Sequence, residues 1–533
     1  MSLTAYRTPE PAARLLLNRF GGPLGRHAST VGSVVRGPGA LMLIGTLSWL
    51  VLMLRQVPCR QSVAGQPVNT FYRLCYTDIP VLYQVRGLAE GQAVYTEVAW
   101  EYPVLTGWLV QLAAWLTNLL GVTAAPGLSA QQVLDNANIF FAVCSVLLFV
   151  CFLGTIELTR RMLPDHGWTA GLMLAASPVV MANGLINWDF LAVVLTAAAM
   201  FVWARGKPFW AGLLYGLAVA AKLYPLFILG PLVLLLVRAR QLDALSRLLA
   251  GATAAWLAVN LPVWLVTPNG WLYFWSFNQQ RGADLGSIWY VMSLGQIPVS
   301  NVNLWSMVLL VAACFGVAVL VFVAPRPPRV GQVAFIVVTL FLVLNKVYSP
   351  QYALWLLPLL VLARPQWRAW AVWTVGELVY FAAIWGHLAG TLRPGSGGAD
   401  RVYWLAVFIR VVVQLWLVLG TIGDILRPHE DPVRAGGVGD PIGGVLDDRW
   451  LERVPQGGKA ARHLPTPEPE PDEAVRARHS SSPAPEPEPG ATPARARRSL
   501  PLDDPDNPAE PDDDPDDLAE PLDDPDDPAE PDE

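Results

Sequence analysis

The sequence predicts an all-α polytopic membrane protein: a bundle of about twelve transmembrane helices, an interfacial helix in the first external loop, and a disordered C-terminal tail. Three observations predict it. Of 533 residues, 53% are hydrophobic and only 15% charged, too little charge for a soluble protein of this size. Apolar runs of roughly 15–22 residues recur along the chain, the length that crosses a bilayer. The basic residues between those runs fit one orientation, in which Lys and Arg mark the cytoplasmic loops.

Residues 1–38 contain Arg7, Arg14, Arg19, Arg26 and Arg36 against a single acid, Glu10, which places this basic segment in the cytoplasm. No cleavable signal is evident, so the first apolar run, 39–57, reads as an uncleaved anchor. The next apolar stretch, 104–122, is different. Read as a span, it would put Arg160, Arg161, Arg205 and Lys207 outside. Laid along the outer interface instead, it brings all the later basic loops to the cytoplasmic side, including Arg238, Arg240, Arg247, Arg326, Arg329, Arg364 and Arg368. Spans are then expected near 39–57, 138–158, 168–186, 188–204, 208–224, 226–237, 248–267, 303–324, 331–346, 350–363, 369–388 and 402–424. The stretch 268–302 becomes a long external loop. The pairs 208–237 and 331–363 are short, as half-helices that meet at a cavity would be.

Residues 39–427 thus form the transmembrane domain, and 428–533 a Pro-, Asp- and Glu-rich cytoplasmic tail that cannot bury enough apolar surface to fold. Any partner for the tail is unknown. The tail also explains the net charge of −6: residues 501–533 hold 17 acids and no Lys or Arg, leaving 26 of the 43 acids against 37 basic residues. Those basic residues read as topology marks, not as a nucleic-acid surface. Cys144, Cys151 and Cys314 lie in apolar runs as packing residues. Cys59 and Cys75 share the first external loop and either pair there or remain thiols, since spacing alone does not decide.

Polar residues gather on the outer side. Arg73, Asp78 and Glu101 lie in the first external loop, Asn187 and Asp189 at the next turn, and Lys222 and Tyr224 close the span that ends in AKLYP. Arg281 and Asp284 sit in FNQQRGADLGS; Lys346, Gln351 and Tyr352 sit in NKVYSPQY. A charge at the centre of a membrane helix costs roughly 2.5–3.5 kcal/mol, so several opening to one face suggest a site. Glu377 and Arg410, inside adjacent spans at similar depth, read instead as a structural ion pair.

No Walker loop, dinucleotide fingerprint, HExxH or CxxC pair is present, and the six His do not cluster at ligand spacing, so no metal or other cofactor is assigned. A divalent metal is compatible with the reading but has no support in the sequence. At an outer membrane surface the available glycosyl donor is a lipid-linked phosphosugar. Phosphate leaves as a stable anion and needs no general acid, whereas glycosidases need two carboxylates. Such a transfer needs one base for the acceptor hydroxyl and cations for the departing phosphate. This inventory supplies both.

Four stretches carry a family resemblance: YTDIPVLYQVRGLAEGQAVYTEVAWEYPVLTGWL, AKLYPLFILGPL, FNQQRGADLGS and NKVYSPQYALWLLPLL. They resemble the GT-C glycosyltransferases that use polyprenyl-phosphate sugars, in particular bacterial glycosyltransferase family 87 and the catalytic subunit of GPI mannosyltransferase I. The resemblance, spread over residues 70–363, implies a GT-C-like bundle, an extracytoplasmic active site and a polyprenyl-phosphate donor, most often mannosyl, with a lipid- or cell-envelope-linked glycan or lipid acceptor. It makes Asp78 the catalytic base and Lys222, Arg281 and Lys346 the donor-phosphate contacts. Arg73, Glu101, Asp189, Tyr224, Asp284, Gln351 and Tyr352 are further substrate-binding candidates.

One departure matters: several relatives carry a second acid two residues after the first, and here that position is Pro80. The expectation is therefore a multi-pass cell-membrane mannosyltransferase with both termini cytoplasmic. A transporter or lipid flippase is the rival, and it predicts mid-depth polar groups and internal repeats.

Overall fold

The computed structural model describes residues 37–60, 62–63, 66–394, 399–434 and 439–446; the basic N-terminal segment and most of the acidic tail lie outside the described residues. The described chain is helical apart from a two-residue strand pair, β1 (Ser62–Val63) with β2 (Gln66–Pro67).

Six helices, not twelve, are long and apolar enough to cross a membrane among the described residues. They are α1 (Pro38–Gln56), α4 (Ala130–Met162), α10 (Leu242–Val266), α13 (Val302–Val323), α16 (Trp367–Leu388) and α17 (Arg401–Leu426). Shorter apolar helices occupy other expected spans: α7 (Asp189–Ala204), α8 (Pro208–Ala221), α9 (Tyr224–Arg238), α14 (Val330–Leu344) and α15 (Ala353–Ala363). The stretch read as interfacial forms α3 (Val104–Leu119), 16 residues or about 24 Å long.

Proline writes most of the breaks. The expected span 168–186 is divided into α5 (Gly167–Ala175) and α6 (Pro178–Asn183), because Pro178 has no N–H to donate and holds Ser177 extended at ψ 119°. After α8, Lys222 turns extended (φ −154°, ψ 152°), and α9 restarts with Pro225 in its first turn. After α14, Asn345 turns extended at ψ 150° and a single 3₁₀ turn, Pro350–Tyr352, leads into α15.

The external loop expected over 268–302 contains two helices, α11 (Pro268–Gln280) and α12 (Ile288–Leu294). Their starts are locally encoded. The Thr267 and Ser287 side chains accept the backbone N–H groups of Gly270 and Tyr290, capping α11 and α12. Helix α11 is aromatic rather than aliphatic and buries no residue fully, so it lacks the apolar run that marks a span.

Small residues let α8 and α10 approach closely. A Cβ on Gly212 would collide with the Leu248 carbonyl, and one on Gly251 with the Phe209 carbonyl. Between α16 and α17, Arg410 Nε donates to Glu377 Oε2 at 2.9 Å, the buried ion pair read from the sequence.

The boundary placed at residue 428 needs correction. Residues 428–434 and 439–446 fold back on the domain. Fully buried Arg329, just before α14, donates to Asp431 through Nε at 2.7 Å and Nη2 at 2.9 Å, and the Val330 N–H donates to Asp440 Oδ2 at 2.9 Å. The segment looks unfoldable because it is polar; its carboxylates are buried only because Arg329 and free backbone N–H groups await them.

Candidate active site

Asp78 opens the short helix α2 (Asp78–Val85). Thr77 makes that start: its hydroxyl accepts the Ile79 N–H at 3.2 Å, and a carboxylate in the first turn meets the positive end of the helix dipole. The Asp78 N–H donates to the Ile186 carbonyl at 2.8 Å, which ties α2 to the turn before α7. Cys59 and Cys75 are disulfide-bonded, with Cα atoms 6.1 Å apart, so the chain entering α2 is anchored to the end of α1.

From the same turn, Asn187 Nδ2 donates to Asp78 Oδ2 at 2.9 Å and to the Tyr102 hydroxyl oxygen at 2.6 Å. The Tyr76 hydroxyl also donates to Asp78. Burial raises the Asp78 pKa above the ordinary carboxylate value; the hydrogen bonds from Tyr76 and Asn187 and the charge of Lys222 oppose the rise without cancelling it.

Asp78 borders a cavity of about 370 Å³, whose wall also holds Glu101, Tyr102, Lys222, Tyr224, Arg281, Gln351, Tyr352 and Trp355. Lys222 arrives there because the α8–α9 break turns it out of the helix. Its Nζ lies 3.5 Å from Asp189 Oδ1 and 4.7 Å from the centre of the Tyr102 ring. Asp189 is fully buried behind it and accepts the Trp355 indole N–H at 2.7 Å. It holds Lys222 and is not part of the wall. Arg281, at the end of α11, donates through Nε to Asp284 Oδ2 at 2.7 Å.

The loop 281–287 and the turn 345–349 are laced together. The Asp284 N–H donates to the Lys346 carbonyl at 2.8 Å and the Tyr348 N–H to the Leu285 carbonyl at 3.1 Å. Gly286, at φ 79°, sits where a Cβ would meet the Tyr348 carbonyl. Arg410 Nη1 donates to that same carbonyl at 2.9 Å, and Gln414 Nε2 to the Tyr348 hydroxyl at 2.6 Å. The Glu377–Arg410 pair therefore braces the turn that carries Ser349 and Gln351.

The structure brings Asp78, Lys222 and Arg281 to one wall and leaves other candidates off it. Lys346 is not in the wall: its ammonium donates to the Asn278 carbonyl at 2.5 Å and to the Asn303 side chain. Arg73 is exposed and donates to the Pro58 carbonyl at 3.1 Å. Asp284 reaches the cavity only through Arg281. Glu101 lines it but is paired with Arg86 at 3.1 Å. Tyr224 and Tyr352 present rings stacked on Trp355, with centroids 4.5 and 4.0 Å away, and the Tyr224 hydroxyl is spent on Thr196.

Sequence reasoning did not pick out Tyr76, Tyr102 or Trp355 as site residues. Tyr76, two residues before Asp78, and Tyr102, beside Glu101, were open to it by proximity; Trp355, inside an apolar run, was not. Among the described residues no three His, Cys, Asp or Glu gather as a metal-ligand group.

A carboxylate, two cations and aromatic rings thus meet at one cavity of a helical membrane bundle, an arrangement suited to a membrane-embedded group-transfer enzyme. Residues 100–345 match the model of glycosyltransferase family 87, and the chain is a membrane glycosyltransferase resembling that family. The matched range includes Lys222 and Arg281, ends one residue before Lys346, and does not reach Asp78. No match to a curated protein was found.

Proposed function

We propose that the protein is an inverting glycosyltransferase. It moves a sugar, mannose by its resemblance, from a polyprenyl phosphate to a hydroxyl of a lipid- or cell-envelope-linked acceptor on the extracytoplasmic face of the cell membrane. The observation that supports this best is the placement of Asp78 on one cavity wall with Lys222 and Arg281.

In the transfer, the acceptor oxygen forms a bond to the anomeric carbon as the bond from that carbon to the phosphate oxygen breaks. The acceptor proton passes to Asp78. Polyprenyl phosphate leaves with the electron pair, and Lys222 and Arg281 offset its charge. The raised pKa of Asp78 moves a carboxylate toward the working pH, where a general base is most effective. Phosphate departs without protonation, so the pairing of Glu101 with Arg86, which leaves no second free acid beside it, is no obstacle.

Sidedness has two supports. A disulfide three residues before Asp78 belongs to an oxidising compartment, and the basic residues between the later apolar runs mark the opposite, cytoplasmic side.

The test uses membranes carrying the full-length protein and labelled polyprenyl-phosphate mannose. Asp78→Asn lowers transfer by about 10²–10⁴-fold while expression and donor binding persist. Transfer by that variant at the wild-type rate would refute the assignment.

A further inference from the structure

The amide of Asn187 decides where the hydrogen of the Tyr102 hydroxyl can go. Asn187 Oδ1 accepts the Trp188 backbone N–H at 2.6 Å, and Nδ2 donates to Asp78 Oδ2 at 2.9 Å and to the Tyr102 oxygen at 2.6 Å. A flipped amide would set Nδ2 against the Trp188 N–H and a carbonyl against a carboxylate, so the contacts fix this orientation. An amide nitrogen carries two hydrogens and offers no lone pair. Both hydrogens are committed, and toward Asn187 the Tyr102 oxygen can only accept. Its own hydrogen has no acceptor among the described residues.

That hydrogen is available to the larger cavity. Tyr102 also borders a pocket of about 10 Å³ beside Trp256 and Trp271, but its oxygen is bonded to Asn187, which lines the larger cavity and not the pocket. The ring is held in place: Trp188 meets it edge-on at 5.8 Å, Trp100 lies 5.9 Å away, and the Tyr95 hydroxyl donates to the Tyr102 carbonyl at 2.8 Å. Lys222 Nζ stands over the same ring, 4.7 Å from its centre, and Arg281 lies within electrostatic reach of the Tyr102 oxygen. Accepting from Asn187 also polarises the O–H and strengthens what it donates. A fixed O–H donor beside two cations is matched to an anion. A prenyl chain offers it no acceptor, and an attacking hydroxyl would lose to it the lone pair needed for attack. A phosphate oxygen has lone pairs to spare and gains charge as the sugar departs.

We propose that Tyr102 is a further catalytic residue, whose hydroxyl donates to a phosphate oxygen of the lipid-linked donor beside Lys222 and Arg281. The proton stays on the phenol, so the phosphate still leaves unprotonated, and the hydrogen bond strengthens as negative charge builds on it. This rests on the glycosyltransferase reading and adds a neutral donor to the two cations at the leaving group.

The experiment uses the full-length protein in detergent with labelled polyprenyl phosphate as the probe, which binds without an acceptor or any transfer. Tyr102→Phe keeps the ring under Lys222 and removes only the hydroxyl. The expected result is a Kd for polyprenyl phosphate raised about tenfold, with the melting temperature of the unliganded protein unchanged. In membranes supplied with labelled polyprenyl-phosphate mannose, kcat falls about 10²-fold while the acid limb of the pH–rate profile stays in place. A wild-type Kd for polyprenyl phosphate overturns the inference whatever happens to the rate, because the hydroxyl then serves the sugar or only steadies Asn187. A wild-type kcat overturns the catalytic role. Failure of the underlying reading looks different: the wild-type protein then transfers no label, while polyprenyl phosphate binding still separates it from the variant.

Discussion

Asn187 holds the Asp78 carboxylate at 2.9 Å from a turn 109 residues further along the chain. That hydrogen bond favours the charged form of a carboxyl whose pKa burial has already raised. The proton affinity of Asp78 is thus a balance between burial and a few donors.

The balance predicts a pH effect. Asn187→Ala removes a donor to the anion, so the Asp78 pKa rises further and the base form appears only at higher pH. A hydrogen bond to a charged group contributes about 1.5–3 kcal/mol, which moves the acid limb of the rate profile up by about 1–2 pH units. Tyr76→Phe acts in the same direction. A pH–rate profile on labelled donor reads the shift; an unmoved acid limb would mean that Asp78 is not the titrating base.

Lys222 predicts a separation of stability from catalysis. Lys222→Met alone removes the cation beside the buried Asp189 carboxylate, leaving it the Trp355 indole but no countercharge from Lys222. The double variant Lys222→Met with Asp189→Asn removes that unpaired charge and restores the melting temperature in detergent. It does not restore transfer, because losing one group that stabilises developing charge costs about 10²–10³-fold in kcat. Recovery of both together would make Lys222 structural.

The segment after the last span predicts a sharp length dependence. A chain ending at residue 446 keeps every contact described for Asp431 and Asp440 and melts as the full chain does. A chain ending at 427 removes Asp431, the carboxylate that accepts from the Arg329 guanidinium, at a cost of about 3–5 kcal/mol. Thermal unfolding of the two truncations in detergent checks this; equal melting temperatures would show that the fold-back contributes nothing.

The sequence made Asp78, Lys222 and Arg281 legible because charge in so apolar a chain must have a reason, and because proline and polar residues mark where helices break. It could not orient side chains. Lys346 sits in the right turn, but its ammonium follows the Asn278 carbonyl away from the cavity. Arg73 is near Asp78 in sequence, yet a turn of the loop carries it to the surface. Helices α11 and α12 escaped notice because hydropathy finds aliphatic runs, and these are short or aromatic. Residues 428–446 escaped because burial of Asp431 depends on Arg329, about a hundred positions earlier, and a basic loop residue looks the same whether it faces solvent or awaits a carboxylate.

Helix α14 links two of these features. Its first residue follows Arg329, its last precedes the turn that carries Ser349 and Gln351, and its 15 residues make a rod about 22 Å long. The foot of that rod is clamped by a carboxylate synthesised after all the described membrane helices. A nascent chain interrupted before residue 431 would already own the residues that line the larger cavity yet hold the strut between them and the far rim by one end only. Completion of the polypeptide is thereby written into the alignment of the chamber.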